Sequence, residues 1–161
     1  MLVTIYTDMS LDVNGNAAYA FRAKSEKGLL TGGDMITIDN PTTNKAEYYA
    51  IRMAMWAVVN KWNNVTCLFI NTDCRNACVA HWKMAELEGF KTTMISRDLK
   101  EDVHRVVNWF KQKDIALRFK HVKAHQSNTH DRAWLNNWCD RQAKLIRHNK
   151  ANNNGIPQKS N

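Results

Sequence analysis

The chain opens on MLVTIYTDMS, a run in which no charge appears before Asp8. Leu2, Val3, Ile5 and Tyr6 are apolar or aromatic, and Thr4 and Thr7 are β-branched. Such a run predicts a strand covered on both faces, hence a central one. Asp8 is expected where that strand stops. Taken alone, Asp8 has an ordinary reading as a turn former. As a carboxylate at the end of a buried strand, it needs a cation, a donor or water. A polar loop from Ser10 to Asn16 follows. Ala17 to Lys24 then predicts a second strand and Gly28 to Ile38 a third, with a bulge expected at Gly32-Gly33. The short connections make these three an antiparallel meander.

Pro41 closes that section, and Thr42 or Thr43 can cap a helix running from about Asn44 to Asn60. At helical spacing Glu47 shares a face with Ala50, Ile51, Ala54 and Val58, while Lys45 and Arg52 lie on the other side. An acid in the first turn suits the helix dipole, which accounts for the position of Glu47 but not for its face. Buried glutamate is rare unless paired or ligating. Val65 to Thr72 is the next apolar run, and it closes on Asp73, repeating the Thr-Asp ending of the first. A right-handed crossover would lay it parallel to the first strand. Both aspartates would then sit at the carboxyl ends of neighbouring strands, where open α/β sheets bind ligands. Helices are expected over Cys74 to about Glu88 and over Leu99 to Lys113, the second with a stripe of Val103, Val106, Val107 and Phe110. Ile115 to Val122 reads as a half-exposed strand. A polar loop holding His125 and His130 leads into a last helix, about Ala133 to His148. Asp140 adjoins the apolar stripe of that helix, one turn after Asn136. The polar segment from Asn149 is expected to be disordered, leaving one domain over residues 1–148 and a tail over 149–161.

Composition narrows the partner. With 161 residues and 44% apolar content the chain can bury a core. Its 23 lysines and arginines outnumber 15 acids, a net charge of +8 that favours an acidic partner such as nucleic acid. The four cysteines form no Cys-x-x-Cys pair, and no His/Cys set has zinc spacing, which points to a reducing, cytoplasmic setting. There is no signal peptide pattern, and no uncharged run approaches the ~18 residues of a membrane span. Nothing in the pattern calls for an obligate protein partner, so a monomer is expected.

Four acids thus fall at strand ends or on inner helix faces: Asp8, Glu47, Asp73 and Asp140. Each has a structural explanation alone. Together they would repel one another unless a cation or raised pKa values intervened. Oxygen ligands suit Mg²⁺, or Mn²⁺ in its place, rather than zinc. Carboxylates beside a basic surface suggest metal-assisted attack on a phosphodiester, for which two ions about 4 Å apart suffice without a protein nucleophile.

These residues resemble type I ribonuclease H. The matching pieces are Tyr6-Thr7-Asp8-x-Ser10, Thr42-Thr43-Asn44-Lys45-Ala46-Glu47, Thr72-Asp73, Val122-Lys123-Ala124-His125 and Asn136-x-x-Cys139-Asp140-x-x-Ala143. Each is weak alone, and the ordered set is specific. The resemblance implies an α/β, ribonuclease H-like fold: a five-stranded mixed sheet, three antiparallel strands then two parallel, with helices on both faces. It implies an endoribonuclease that hydrolyses the RNA strand of an RNA–DNA hybrid, with two Mg²⁺ ions held by Asp8, Glu47, Asp73 and Asp140 and Asp8 bridging them. By the same resemblance His125 matches a histidine that assists proton transfer or product release. Thr42 matches a threonine that binds a DNA-strand phosphate, Ser10, Thr43 and Asn44 match polar positions near the minor groove, and Trp82 matches a tryptophan lining the DNA-strand channel.

Four features depart from the family's pattern. Met9 replaces a usual glycine, and the loop from His125 to Asn136 is long. Lys83 to Glu88 is only weakly basic where a substrate handle is expected, and Asn40 stands where an arginine often binds phosphate. Two other readings remain open at this point. One is another nuclease of this architecture, such as a junction resolvase or an exonuclease. The other is an inactive nucleic-acid-binding relative.

Overall fold

In the computed structural model, which describes residues 1–76, 97–122 and 131–153, the opening apolar run forms strand β1 (Leu2–Leu11). The strand does not stop at Asp8 but runs on beyond it. β2 (Ala17–Ser25) and β3 (Gly28–Met35) fold back as the expected antiparallel meander. β4 (Cys67–Thr72) pairs parallel with β1 on its other side, and β5 (Ala116–His121) pairs parallel with β4. The sheet order is β3-β2-β1-β4-β5, so β1 is central, as its uncharged start predicts. Three helices complete the described elements: α1 (Thr43–Lys61), α2 (Arg97–Gln112) and α3 (Asp131–Asn153). None is long and apolar enough to cross a membrane.

The period of the strand sorts β1 into two faces. Val3 and Ile5 are fully buried in the main core with Tyr19 and Phe21 of β2. The α1 stripe of Ala46, Ala50, Ile51, Ala54 and Val58 fills the same core, as do Val103, Val106, Val107 and Phe110 of α2. Tyr6, Asp8 and Ser10 point to the opposite face with Arg22, Ala20 and Ala18, and there α3 packs. The two helices of the main core are locked together by Trp56 of α1 against Trp109 and Phe110 of α2, and by an Arg52–Asp102 ion pair at 2.6 Å.

Thr42 is the cap of α1: its backbone is extended and its Oγ1 accepts from the Lys45 amide at 3.3 Å. Asn64, at φ 65°, turns the chain from α1 into β4, and its carbonyl accepts from the Met1 ammonium at 2.9 Å.

Two further expectations need correction. Gly32 and Gly33 form no bulge, because they pair in regular register with Phe21 and Ala20. They are glycines because space demands it. A Cβ on Gly33 would lie 2.4 Å from the Tyr19 carbonyl oxygen and 2.7 Å from Ile146 Cδ1 on α3. One on Gly32 would lie 2.6 Å from the Phe21 ring. The last helix also outruns its expected end at His148, reaching Asn153, and Lys150 forms an ion pair with Asp34 on β3. Most of the helix expected over 74–88, the loop with His125 and His130, and the chain beyond 153 lie outside the described residues.

Candidate active site

The site forms where the pairing of β1 changes. The parallel register between β1 and β4 ends at Tyr6 and Asn71, and β4 itself ends at Thr72. β1 continues on its β2 side alone, with Asp8 opposite Ala20. Asp8 and Asp73 therefore lie at the same end of the sheet. The first turns of α1 bring in Glu47, and α3 crosses the other face with Asn136 and Asp140.

Three of the four predicted acids meet closely. One carboxylate oxygen from each of Asp8, Glu47 and Asp73 lies within 4.8 Å of the other two. Asp8 and Glu47 are 6% and 5% exposed, and Asp73 is half-buried. Oxygens bound to one hard cation at 2.0–2.6 Å sit at most about 5 Å apart, so the spacing suits a divalent ion. Among the described residues Glu47 Oε2 is buried without a hydrogen-bond partner, which suits a carboxylate that ligates a cation. Asp140 stands beside this trio. Its Oδ2 accepts from Lys144 Nζ at 2.8 Å, one helical turn on.

The electrostatics agree. Burial first, and then the charge of Asp73, pushes the Asp8 carboxyl from 3.8 up to about 8. Glu47 is raised well above its ordinary value by burial and by Asp8 and Asp73. Asp73 is raised by burial, against hydrogen bonding from Asn136 and the nearby His121, which lower it. All three acids are raised, by burial first and by one another's charge second for Asp8 and Glu47, and a bound cation would offset both effects.

Asn136 is a site residue that sequence reasoning left in the background. It is buried, and its Nδ2 donates to Asp8 Oδ2 at 3.2 Å while its amide also hydrogen-bonds Asp73. One side chain thus ties two carboxylates together. The signal was a polar residue on the buried stripe of α3, a turn before Asp140. His121 was missed for lack of any pattern: its ring Nε2 hydrogen-bonds the Asp73 carbonyl at 2.9 Å.

The remaining candidates divide. The Met9 backbone N–H donates to Asp8 Oδ1 at 2.7 Å, and its side chain packs against the core on the α1 face. Ser10 is buried, and its Oγ accepts from Arg147 Nε at 3.0 Å, while the same guanidinium pairs with Asp12 at 2.8 Å. Thr42 and Thr43 are exposed at the start of α1, beside half-buried Asn44. His125, Trp82 and the weakly basic segment over 83–88 lie outside the described residues.

Comparison with known proteins fits this geometry. Residues 2–147 match the family described as RNase H. No curated protein is matched by sequence. Among solved structures, the fold resembles LC11-RNase H1, isolated from compost by a metagenomic approach. The TM-score is 0.67 and the identity 19%, over 92% of this chain and 97% of that one. The same protein in complex with an RNA/DNA hybrid matches with a TM-score of 0.58 and 21% identity, over 88% and 99% of the two chains. RNase H1 from the halophilic archaeon Halobacterium salinarum matches with a TM-score of 0.62 and 18% identity, over 90% and 98%.

Proposed function

The chain belongs to the RNase H family and is a ribonuclease H enzyme, and from that premise we propose that it hydrolyses the RNA strand of RNA–DNA hybrids as a metal-dependent endonuclease. The observation that carries this is the trio of Asp8, Glu47 and Asp73, with oxygens within 4.8 Å and a Glu47 oxygen buried without a partner among the described residues. A protein of the same fold has been seen bound to such a hybrid, which supports the choice of substrate.

Asp8, Glu47, Asp73 and Asp140 would hold two Mg²⁺ ions, or Mn²⁺ in their place. Bound there, the ions supply positive charge to the attacking water and to the leaving oxygen. The chain's own residues do the positioning. The Met9 amide and Asn136 fix the two oxygens of Asp8, so that carboxylate keeps one orientation. Burial of Glu47 and Asp8 keeps bulk water away and strengthens every charge interaction at the reacting phosphate. Thr42, Thr43 and Asn44 form a polar rim where α1 begins, suited to backbone phosphates and to the 2′-hydroxyl that separates RNA from DNA. Ser10 acts there from the end of β1, where Arg147 ties it to Asp12. By the family resemblance, His125 would serve as a proton carrier and Trp82 would contact the DNA strand. The protein works as a monomer.

The test is cleavage of a hybrid carrying labelled RNA, with Mg²⁺ present. Cleavage is expected from the native chain and none from Asp73→Asn. No cleavage, or equal cleavage by the variant, overturns the proposal. Duplex DNA and a four-way junction, run alongside, reveal a different nuclease if they are cut in preference. Calorimetry without any Mg²⁺ binding, but with hybrid binding intact, would mark an inactive relative.

A further inference from the structure

A second cavity opens on the same face of the sheet as Asp8, four residues back along β1. At strand rise its lining residues Tyr6 and Thr4 are about 7 and about 13 Å from Asp8, and none of the four carboxylates is among its described walls. Its volume is about 720 Å³, and Thr4, Arg22, Lys24, Ser25, Leu29 and Trp134 are among its walls. β1, β2 and β3 make the floor, and the first turns of α3 make one side.

The chemistry of the walls is specific. In the β1–β2 register, Tyr6 faces Arg22 and Thr4 faces Lys24, so both cations rise from one face about 7 Å apart. No carboxylate lines the cavity among the described residues. The Arg22 guanidinium lies 5.5 Å from the ring centres of both Trp134 and Trp138. An arginine stacked on aromatic faces is held still and keeps its N–H edge for a phosphate. Trp134 is 42% exposed and Leu29 51% exposed, leaving an indole and an apolar edge open to solvent at the rim. The Thr4 and Ser25 hydroxyls can both donate and accept there.

A ligand that satisfies these walls has a flat apolar part, several hydrogen-bonding atoms and an anionic group. We propose that this cavity binds one phosphorylated nucleotide, with its base against Trp134 and Leu29 and its phosphate on Arg22 and Lys24. Its volume is within the few hundred to about 1,000 Å³ usual for such sites. Base stacking on an exposed aromatic together with a cationic contact to phosphate is how single nucleotides are gripped without reading their sequence. The choice of a nucleotide over other anionic aromatic ligands rests on the nuclease reading above. The occupant is either a free 5′-nucleotide or the phosphorylated end of a strand, which share this chemistry.

The experiment is calorimetry in EDTA, so that the carboxylate centre holds no metal and contributes no metal-bound phosphate. The probes are AMP, adenosine, and a short oligonucleotide with and without its 5′-phosphate. Saturable binding is expected for AMP or for the phosphorylated oligonucleotide, with the unphosphorylated partner of each clearly weaker. AMP binding identifies the free nucleotide, and binding of the phosphorylated oligonucleotide alone identifies a strand end. Lys24 is exposed, so Lys24→Glu should fold normally; it exchanges a phosphate contact for a repulsion and should weaken binding about tenfold. Arg22→Met, which keeps an apolar stem against the tryptophans, should do the same. No binding by any phosphorylated probe, or binding unchanged in both variants, overturns the proposal. Hybrid cleavage by the native chain in Mg²⁺ is read separately, so a silent cavity in an active nuclease refutes the cavity alone.

Discussion

Asn136 shows how one amide can set the geometry of a charged centre. Its Nδ2 reaches Asp8 Oδ2 at 3.2 Å, and the same side chain hydrogen-bonds Asp73. Without it both carboxylates lose a fixed orientation, although neither is removed. Residues that orient metal-binding carboxylates typically cost about 10–100-fold in affinity or activity when deleted. Asn136→Ala should therefore lower hybrid cleavage by about that factor and raise the Mg²⁺ needed for half-maximal rate, and unchanged metal dependence in a rate titration would count against the role. The acids themselves give a pH prediction. Folded, Asp8 holds its proton up to about 8, whereas unfolded it titrates near 3.8. The folded state binds the extra proton in that window, so stability is full below it and is lost as pH rises through it. Glu47 and Asp73 shift the same way. Asp12 and Asp34 are lowered, so their contributions change only below the window. In chelator, the thermal midpoint should fall between about pH 5 and about pH 9, and saturating Mg²⁺ should reduce that fall. A flat profile in chelator would contradict the burial of these carboxylates.

Among the elements, the sheet was legible because its signals are local. The uncharged start of β1 made it central, and the period of α1 placed Glu47 on the buried face before any neighbour was known. The glycine pair misled because sequence shows a missing side chain but not what occupies its place. In β3 the occupants are the Phe21 ring, the Tyr19 carbonyl and Ile146 of α3. Gly33→Ala tests this. Its new methyl meets the Tyr19 carbonyl of β2 at 2.4 Å, which a side-chain rotation cannot relieve, so the edge strand must shift against β2. A loss of about 1–3 kcal/mol is expected by chemical denaturation. Gly32→Ala, which meets only a ring that can turn, should cost less. Equal stability of both variants would mean that Gly33 does not lie against the β2 backbone as described. The length of α3 was misjudged for a related reason. Its last turns, rich in Asn and Lys, have little apolar pattern, but Lys150 finds Asp34 on β3 and Arg147 grips Ser10 and Asp12 across the β1–β2 turn.

At the scale of the whole molecule, the candidate site was readable as an ordered set of acids, and the structure brings Asp8, Glu47 and Asp73 from three separate elements to one point. What sequence could not show was how these acids are held, since Asn136 and His121 act through contacts that only the folded chain creates. The net charge of +8 is a property of the same kind, for it belongs to no single element. The acids at the centre bind no polyanion without cations, so the surrounding lysines and arginines must supply attraction over distance. Each phosphate neutralised adds about 0.9 to the slope of log affinity against log salt, as measured for B-DNA. Hybrid binding by Asp73→Asn, which should bind without cutting, is expected to weaken at least about tenfold between about 50 and about 200 mM salt, corresponding to roughly two phosphates or more. Lys24→Glu should reduce that slope only when the hybrid's phosphorylated end reaches the second cavity. A salt-independent affinity would mean that the basic surface does not touch the hybrid, and that the excess of lysine and arginine serves solubility instead.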